Sequence, residues 1–157
     1  MKRFVSIKLL AVTLALLVGT VTVTATERAF AANGRGVATF SIDSNGNAVA
    51  DVMGSGTATH LGSFTNVGRV VFTPDPNNPT IAYPSGEATL TAANGDKVII
   101  VVEDGVSDLT TGIGTGHFRF VGGTGRFANA SGITSYVVEQ NLLTGAYELT
   151  IVGSIDF

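Results

Sequence analysis

A chain of 157 residues that has no cysteine and carries a formal net charge of −3 is not a disulfide-stapled scaffold, a thiol enzyme, a cysteine-held zinc site or a haem-attachment module. It also lacks the basic balance that a nucleic-acid-binding face needs. The N-terminus reads as an export leader. Lys2, Arg3 and Lys8 form a positive segment, Leu9 to Val23 is uncharged, and Ala29-Phe30-Ala31 places small residues at −3 and −1 of a cleavage site. This order predicts a signal peptide over residues 1–31 and one domain over 32–157. The uncharged run is shorter than the ~20 residues of a spanning helix, so no stable membrane insertion is expected after cleavage, and the location is secreted or periplasmic. Without the leader, Arg35, Arg69, Lys97, Arg119 and Arg126 face eleven carboxylates, a net charge of −6. Such a surface favours solubility and disfavours nucleic acid or an anionic membrane as partner.

Beyond Ala32 no apolar pattern of helical period persists. Short β-prone runs separated by Gly, Asn, Asp and Pro predict eight strands. The first covers Gly36 to Asp43, with Ala38, Phe40 and Ile42 on one face, and turns at Asn45-Gly46. The second, Ala48 to Leu61, contains Gly54 and Gly56, which suggest a bulge or a barrel corner. The third is Ser63 to Thr73. All four prolines, at 74, 76, 79 and 84, fall in one window, so Pro74 to Pro84 is read as a long loop. The fourth strand, Gly86 to Thr91, turns through Asn94-Gly95 into the fifth, Lys97 to Glu103. The run Val98-Ile99-Ile100-Val101-Val102 in the fifth suggests burial on both faces or a covering partner. Asp104-Gly105 opens a loop to Gly114, and the sixth strand is Thr115 to Val121. The seventh is Gly132 to Gln140. The eighth, Ala146 to Phe157, places Tyr147, Leu149, Ile151, Ile155 and Phe157 against Glu148, Thr150, Ser154 and Asp156.

Eight strands in sequence with mostly short turns predict an all-β, antiparallel up-and-down barrel, with a two-sheet sandwich as the alternative. A barrel of this size is filled by side chains or holds one small ligand. Between the sixth and seventh strands, Phe120 to Gly132 holds four glycines and two phenylalanines. Gly122, Gly123, Thr124, Gly125, Arg126, Phe127 and Gly132 are read as a structural corner. No Lys-Ser/Thr and no helical pattern follow, so it is not a phosphate loop. Arg126 is placed to bond carbonyls across the barrel end, and Phe127 to plug it.

Val121-Gly122-Gly123-Thr124-Gly125-Arg126-Phe127, followed by Ala130 and Gly132, resembles the glycine corner of the allene oxide cyclase and dirigent-protein superfamily. Secreted bacterial relatives of that superfamily are similar also at Gly56 to Gly62 and at Thr91 to Asp96. The resemblance implies an eight-stranded barrel with an apolar cavity, often trimeric. Allene oxide cyclases cyclise a fatty-acid epoxide, and dirigent proteins steer the coupling of phenoxy radicals. No residue outside the corner aligns with a catalytic residue of either family, so neither activity is carried over, and no catalytic residue or cofactor is assigned.

Other candidates for chemistry are few. His60 and His117 are the only histidines, too few for an ordinary metal set. His117 shares a face with Arg119, opposite to Phe118 and Phe120. The pair faces outward if the phenylalanines are core, and binds a carboxylate if it lines the cavity. Glu103, Asp104 and Asp108 form an acidic group that reads as a solvated turn, with acid–base or calcium chemistry as the alternatives. No Gly-x-Ser-x-Gly motif is present, and Asn129-Ala130-Ser131 fits a glycosylation sequon. The reading of function is an exported barrel that binds a small apolar ligand. The alternatives are an enzyme acting by confinement and a self-associating surface protein.

Overall fold

The structure, a computed structural model, describes residues 26–157. Most of the expected leader, residues 1–25, lies outside the described residues. Eight antiparallel strands close into a barrel in chain order: β1 Arg28–Ile42, β2 Ala48–Ala58, β3 Gly62–Pro74, β4 Ile81–Ala92, β5 Lys97–Asp108, β6 Ile113–Gly123, β7 Ile133–Gln140 and β8 Ala146–Ile155. β8 pairs with β1, so no edge is left open and the sandwich alternative is set aside.

Three strand boundaries differ from expectation by five residues or more, each for a physical reason. β1 begins at Arg28, not Gly36, because the C-terminal half of β8 needs a partner: Arg28 pairs with Ile155 and Phe30 with Gly153. The extension escapes sequence reading because its inward positions, Phe30, Ala32, Gly34 and Gly36, include two glycines in place of apolar side chains. β4 begins at Ile81 and contains Pro84, so the proline-rich loop shrinks to residues 75–80. β5 continues through Asp104-Gly105 to Asp108. Two residues of β5 stand against one of β6 there: Val102 pairs with Phe118 and Asp104 with His117, so Glu103 is the extra residue of a bulge. The expected turn is therefore a strand.

Gly54 and Gly56 are not bulges, since the ladder runs unbroken through both on either side. They make room. Gly54 pairs with Gly36, and a Cβ on either would stand 2.7 Å or 2.6 Å from the Tyr147 hydroxyl. A Cβ on Gly56 would stand 2.7 Å from the ring of Phe64. Inward aromatic rings thus lie across glycines where the strands curve.

The core has two parts. One end of the barrel is packed by Phe30, Leu61, Phe64, Val98, Phe120, Phe127 and Ile155, among others. Phe30 meets Phe120 edge-on at 5.0 Å. Toward the other end the buried cluster is only Ala38, Ala50 and Tyr147. In the apolar run of β5, Val98 and Ile100 point inward and are buried, while Ile99 and Val101 face outward and are half-buried.

Candidate functional site: the barrel interior

Inward-facing side chains alternate along every strand, and between the two clusters they do not meet. A cavity of about 110 Å³ remains. Its walls are mostly aliphatic and aromatic: Val70, Leu90, Val102, Phe118, Val138 and Leu149 are among them. Five polar residues interrupt this lining, namely Asn66, Ser107, Tyr136, Gln140 and Tyr147, together with Glu87 at the wall. No lysine, arginine or histidine borders it.

Two of the polar residues are tied together. The Asn66 amide donates to the Tyr147 hydroxyl at 2.9 Å across the interior. Burial raises the pKa of Tyr147, and the Asn66 bond offsets part of that rise. Tyr136, only 5 % exposed, stacks on Phe118 with ring centroids 4.1 Å apart. Burial, and after it the charge of Asp104, pushes the Tyr136 phenol up to about 12. Both phenols stay protonated at neutral pH and can donate.

One end of this interior is closed by the glycine corner. Thr124 exchanges two bonds with the start of β5: its hydroxyl accepts from the Lys97 N–H at 2.9 Å, and its own N–H donates to the Lys97 carbonyl at 2.9 Å. Gly125 then turns with φ +58°, a conformation that favours glycine, and a Cβ there would push the Asp96 carboxylate aside. The turn drives Phe127, fully buried, into the barrel end against Phe157 at 4.7 Å. Arg126 donates to the His60 carbonyl in the β2–β3 turn and lies 4.8 Å over the Phe127 ring. The corner is a plug tied across the barrel mouth.

The remaining candidates stand apart from the cavity. His117 and Arg119 face outward. His117 Nδ1 lies 2.8 Å from Asp104, and Arg119 donates to Glu103 at 2.6 Å. The Glu103 bulge turns Glu103 and Asp104 to the same outer surface, which is why the two carboxylates find two cations. Asp108 accepts from Thr110 and Thr111 in the β5–β6 turn, and these bonds, the Thr110 hydroxyl first, hold its carboxyl below the usual carboxylate range. The acidic group is thus divided between a strand surface and a turn. Among the described residues no three His, Asp or Glu side chains gather as a metal set. His60 sits on the closed end, its ring edge-on to Phe157 at 5.4 Å, with Nε2 3.1 Å from the Ala29 carbonyl. Asn129 is exposed in the corner.

Sequence reasoning did not single out Asn66 or Tyr136. Asn66 shares parity with Phe64 and Val70, and Tyr136 with Thr134 and Val138. An inward polar group among apolar neighbours was the available signal.

The fold and the interior define a class: a closed eight-stranded barrel with a small apolar void and a few fixed hydrogen-bonding groups. No family model matches the chain, and no curated protein matches it. Among solved structures, a conserved protein of unknown function from Rhodopseudomonas palustris is similar with a TM-score of 0.55 and 10 % identity, covering 84 % of this chain and 99 % of that one. The likeness shows the fold alone.

Proposed function

We propose that this protein is an exported barrel that binds a small apolar molecule in its interior. The observation that carries the reading is the void of about 110 Å³, walled by aliphatic and aromatic side chains in a barrel whose end is otherwise tightly plugged. Cavities of ~150 Å³ lined by Leu, Ile and Phe stay dry and take benzene or xenon; a ligand of about one ring or a short acyl chain suits this one. Kinship with the allene oxide cyclase and dirigent barrels rests on the glycine corner and stays at the level of the fold. Export rests on the leader pattern. Since Phe30 and Ala31 belong to β1, we place cleavage upstream of Arg28, where Val23-Thr24-Ala25 also supplies small residues.

Methyl NMR of the protein under xenon, or with toluene added, tests the cavity. Shifts concentrated at Val70, Val102, Val138 and Leu149 are expected. An unchanged interior, or shifts confined to outward methyls such as Val37 and Met53, would overturn the reading. Catalysis by confinement is the second reading, and its candidates are the two buried phenols, since the carboxylates, apart from Glu87 at the wall, stand away from the void. A self-associating role is favoured by a different observation: Val37, Met53 and Val67 sit on paired neighbouring strands and are all more than 45 % exposed on the outer wall. A monomer by light scattering at micromolar concentration would remove it.

A further inference from the structure

The longest break in the barrel wall lies between β4 and β5. Ile81 pairs with Asp108 and Ala82 with Ser107, and pairing resumes only at Glu87 and Val101. Residues 83–86 and 102–106 therefore face each other outside the ladder. Pro84 has no N–H to contribute there, and the Glu103 bulge gives β5 one residue in excess. The cavity reaches this seam, because Pro84, Val102, Ser107 and the surface residue Glu87 all border it.

Tyr136 extends to the same place. It is paired with Gly116, which is paired in turn with Gly105. A Cβ on Gly105 would collide with the Tyr136 hydroxyl and stand 2.9 Å from Pro84 Cγ. The hydroxyl thus ends at the seam, against two residues that offer no side-chain acceptor. Unlike the Tyr147 hydroxyl, which is bonded to Asn66, that of Tyr136 has no hydrogen-bond partner among the described residues. The hydroxyl is not sealed off, since it keeps some accessible surface, and a ligand oxygen can take the place of the water that would otherwise meet it.

We propose that the Tyr136 hydroxyl is the polar contact for the occupant of the cavity, and that the occupant is a neutral, apolar, ring-sized molecule with one acceptor oxygen, such as an aromatic ketone. The inference rests on the cavity reading above and adds the ligand's chemistry. Neutrality follows from the surroundings: no cation borders the void, Glu87 stands at its wall, and the negative charge of Asp104 acts on Tyr136. An anion would be desolvated without a counter-charge. A carbonyl needs only the donor that Tyr136 supplies.

Three probes of similar shape separate these points: acetophenone, its hydrocarbon isostere α-methylstyrene, and benzoate. Binding to the purified protein is followed by NMR titration. Acetophenone is expected to bind about three- to tenfold more tightly than α-methylstyrene, the usual scale of one net hydrogen bond, and benzoate more weakly than either. Tyr136→Phe is expected to erase the ketone preference and leave the α-methylstyrene affinity in place. Equal affinities for the two neutral probes in the unaltered protein, or a preference that survives Tyr136→Phe, would overturn the assignment to Tyr136 while the cavity reading stands. Tightest binding by benzoate would overturn the neutral-ligand class. Binding of none of the three overturns both the assignment and the cavity reading. The comparison of probes on the unaltered protein holds even if the variant fails to fold.

Discussion

The two ends of this barrel are built from the same eight strands and differ in what fills them. At the end plugged by the glycine corner, Phe30, Phe120, Phe127 and Phe157 converge with Leu61 and Ile155. Toward the opposite end the inward positions carry Ala38 and Ala50, clustered with Tyr147, and Phe40 is 44 % exposed at the rim. Packing at one end stabilises the closed sheet, and small residues at the other leave room. The contrast teaches that closure of a small barrel does not require a solid core. One well-packed end, joined to a continuous ladder, leaves the rest of the interior free to hold a void.

The sharpest way to break this comparison is at the N-terminus of β1. A chain that starts at Ala32 loses Phe30 and the pairs that Arg28, Ala29, Phe30 and Ala31 make with β8. Removal of the Phe30 ring alone is worth about 3–5 kcal/mol, and the freed end of β8 adds to it. A chain that starts at Thr26 should keep full stability. Urea unfolding of the two checks this. Equal midpoints would mean that the plugged end does not depend on β1.

Phe127→Ala is expected to cost about 3–5 kcal/mol, since the ring is fully buried and the corner that carries it is tied by Thr124 and Arg126 and has little freedom to collapse. Thermal or denaturant unfolding measures it. A loss below about 0.5 kcal/mol, the level of an ordinary surface change, would show that the plug is decorative. At the other end, Tyr147→Phe leaves the Asn66 amide without its partner. The expected cost is about 1–3 kcal/mol, and Asn66→Leu combined with it should recover part of the loss.

How much of this contrast could be read from the residues alone divides along the same line. The strand count and the up-and-down order follow from local signals: Asn-Gly turns, alternation in β8, and short β-prone runs with no helical period between them. The void does not. Whether Tyr136 and Asn66 face one another across a barrel depends on eight registers and the irregularities in them, none of which is a local property. The Glu103 bulge shows why. It reverses inside and outside for the second half of β5, so that Gly105 and Ser107, not Asp104 and Val106, point inward. Parity counted from Val98 fails beyond it. Pro84 misleads in the opposite direction, since it reads as a loop residue yet lies within β4 where the ladder is already interrupted.

Alkaline pH reads out burial at the void directly. Tyr136 is raised to about 12 in the folded protein, whereas an unfolded tyrosine titrates near ~10. The stabilisation is complete below pH ~10, and it is lost as pH rises through the folded value, because the unfolded state releases its proton first. Absorbance at the phenolate band should therefore lose a late-ionising component in Tyr136→Phe, while Tyr147, also raised by burial, keeps its own. Tyr136 ionising near ~10 would mean that its end of the void is wet.

The smallest effect belongs to the rim. Phe40→Ala is expected to cost no more than about 1 kcal/mol, because the ring is part-exposed and its one aromatic neighbour, Phe72, lies 6.3 Å away at a tilted angle. Set against Phe127→Ala in the same denaturant series, it compares one phenylalanine at each end of one barrel. A threefold or larger ratio of losses is expected from the burial of the two rings. Similar losses would mean that the rim is packed in solution as tightly as the plug, and the void would then have closed around Phe40 and Phe72.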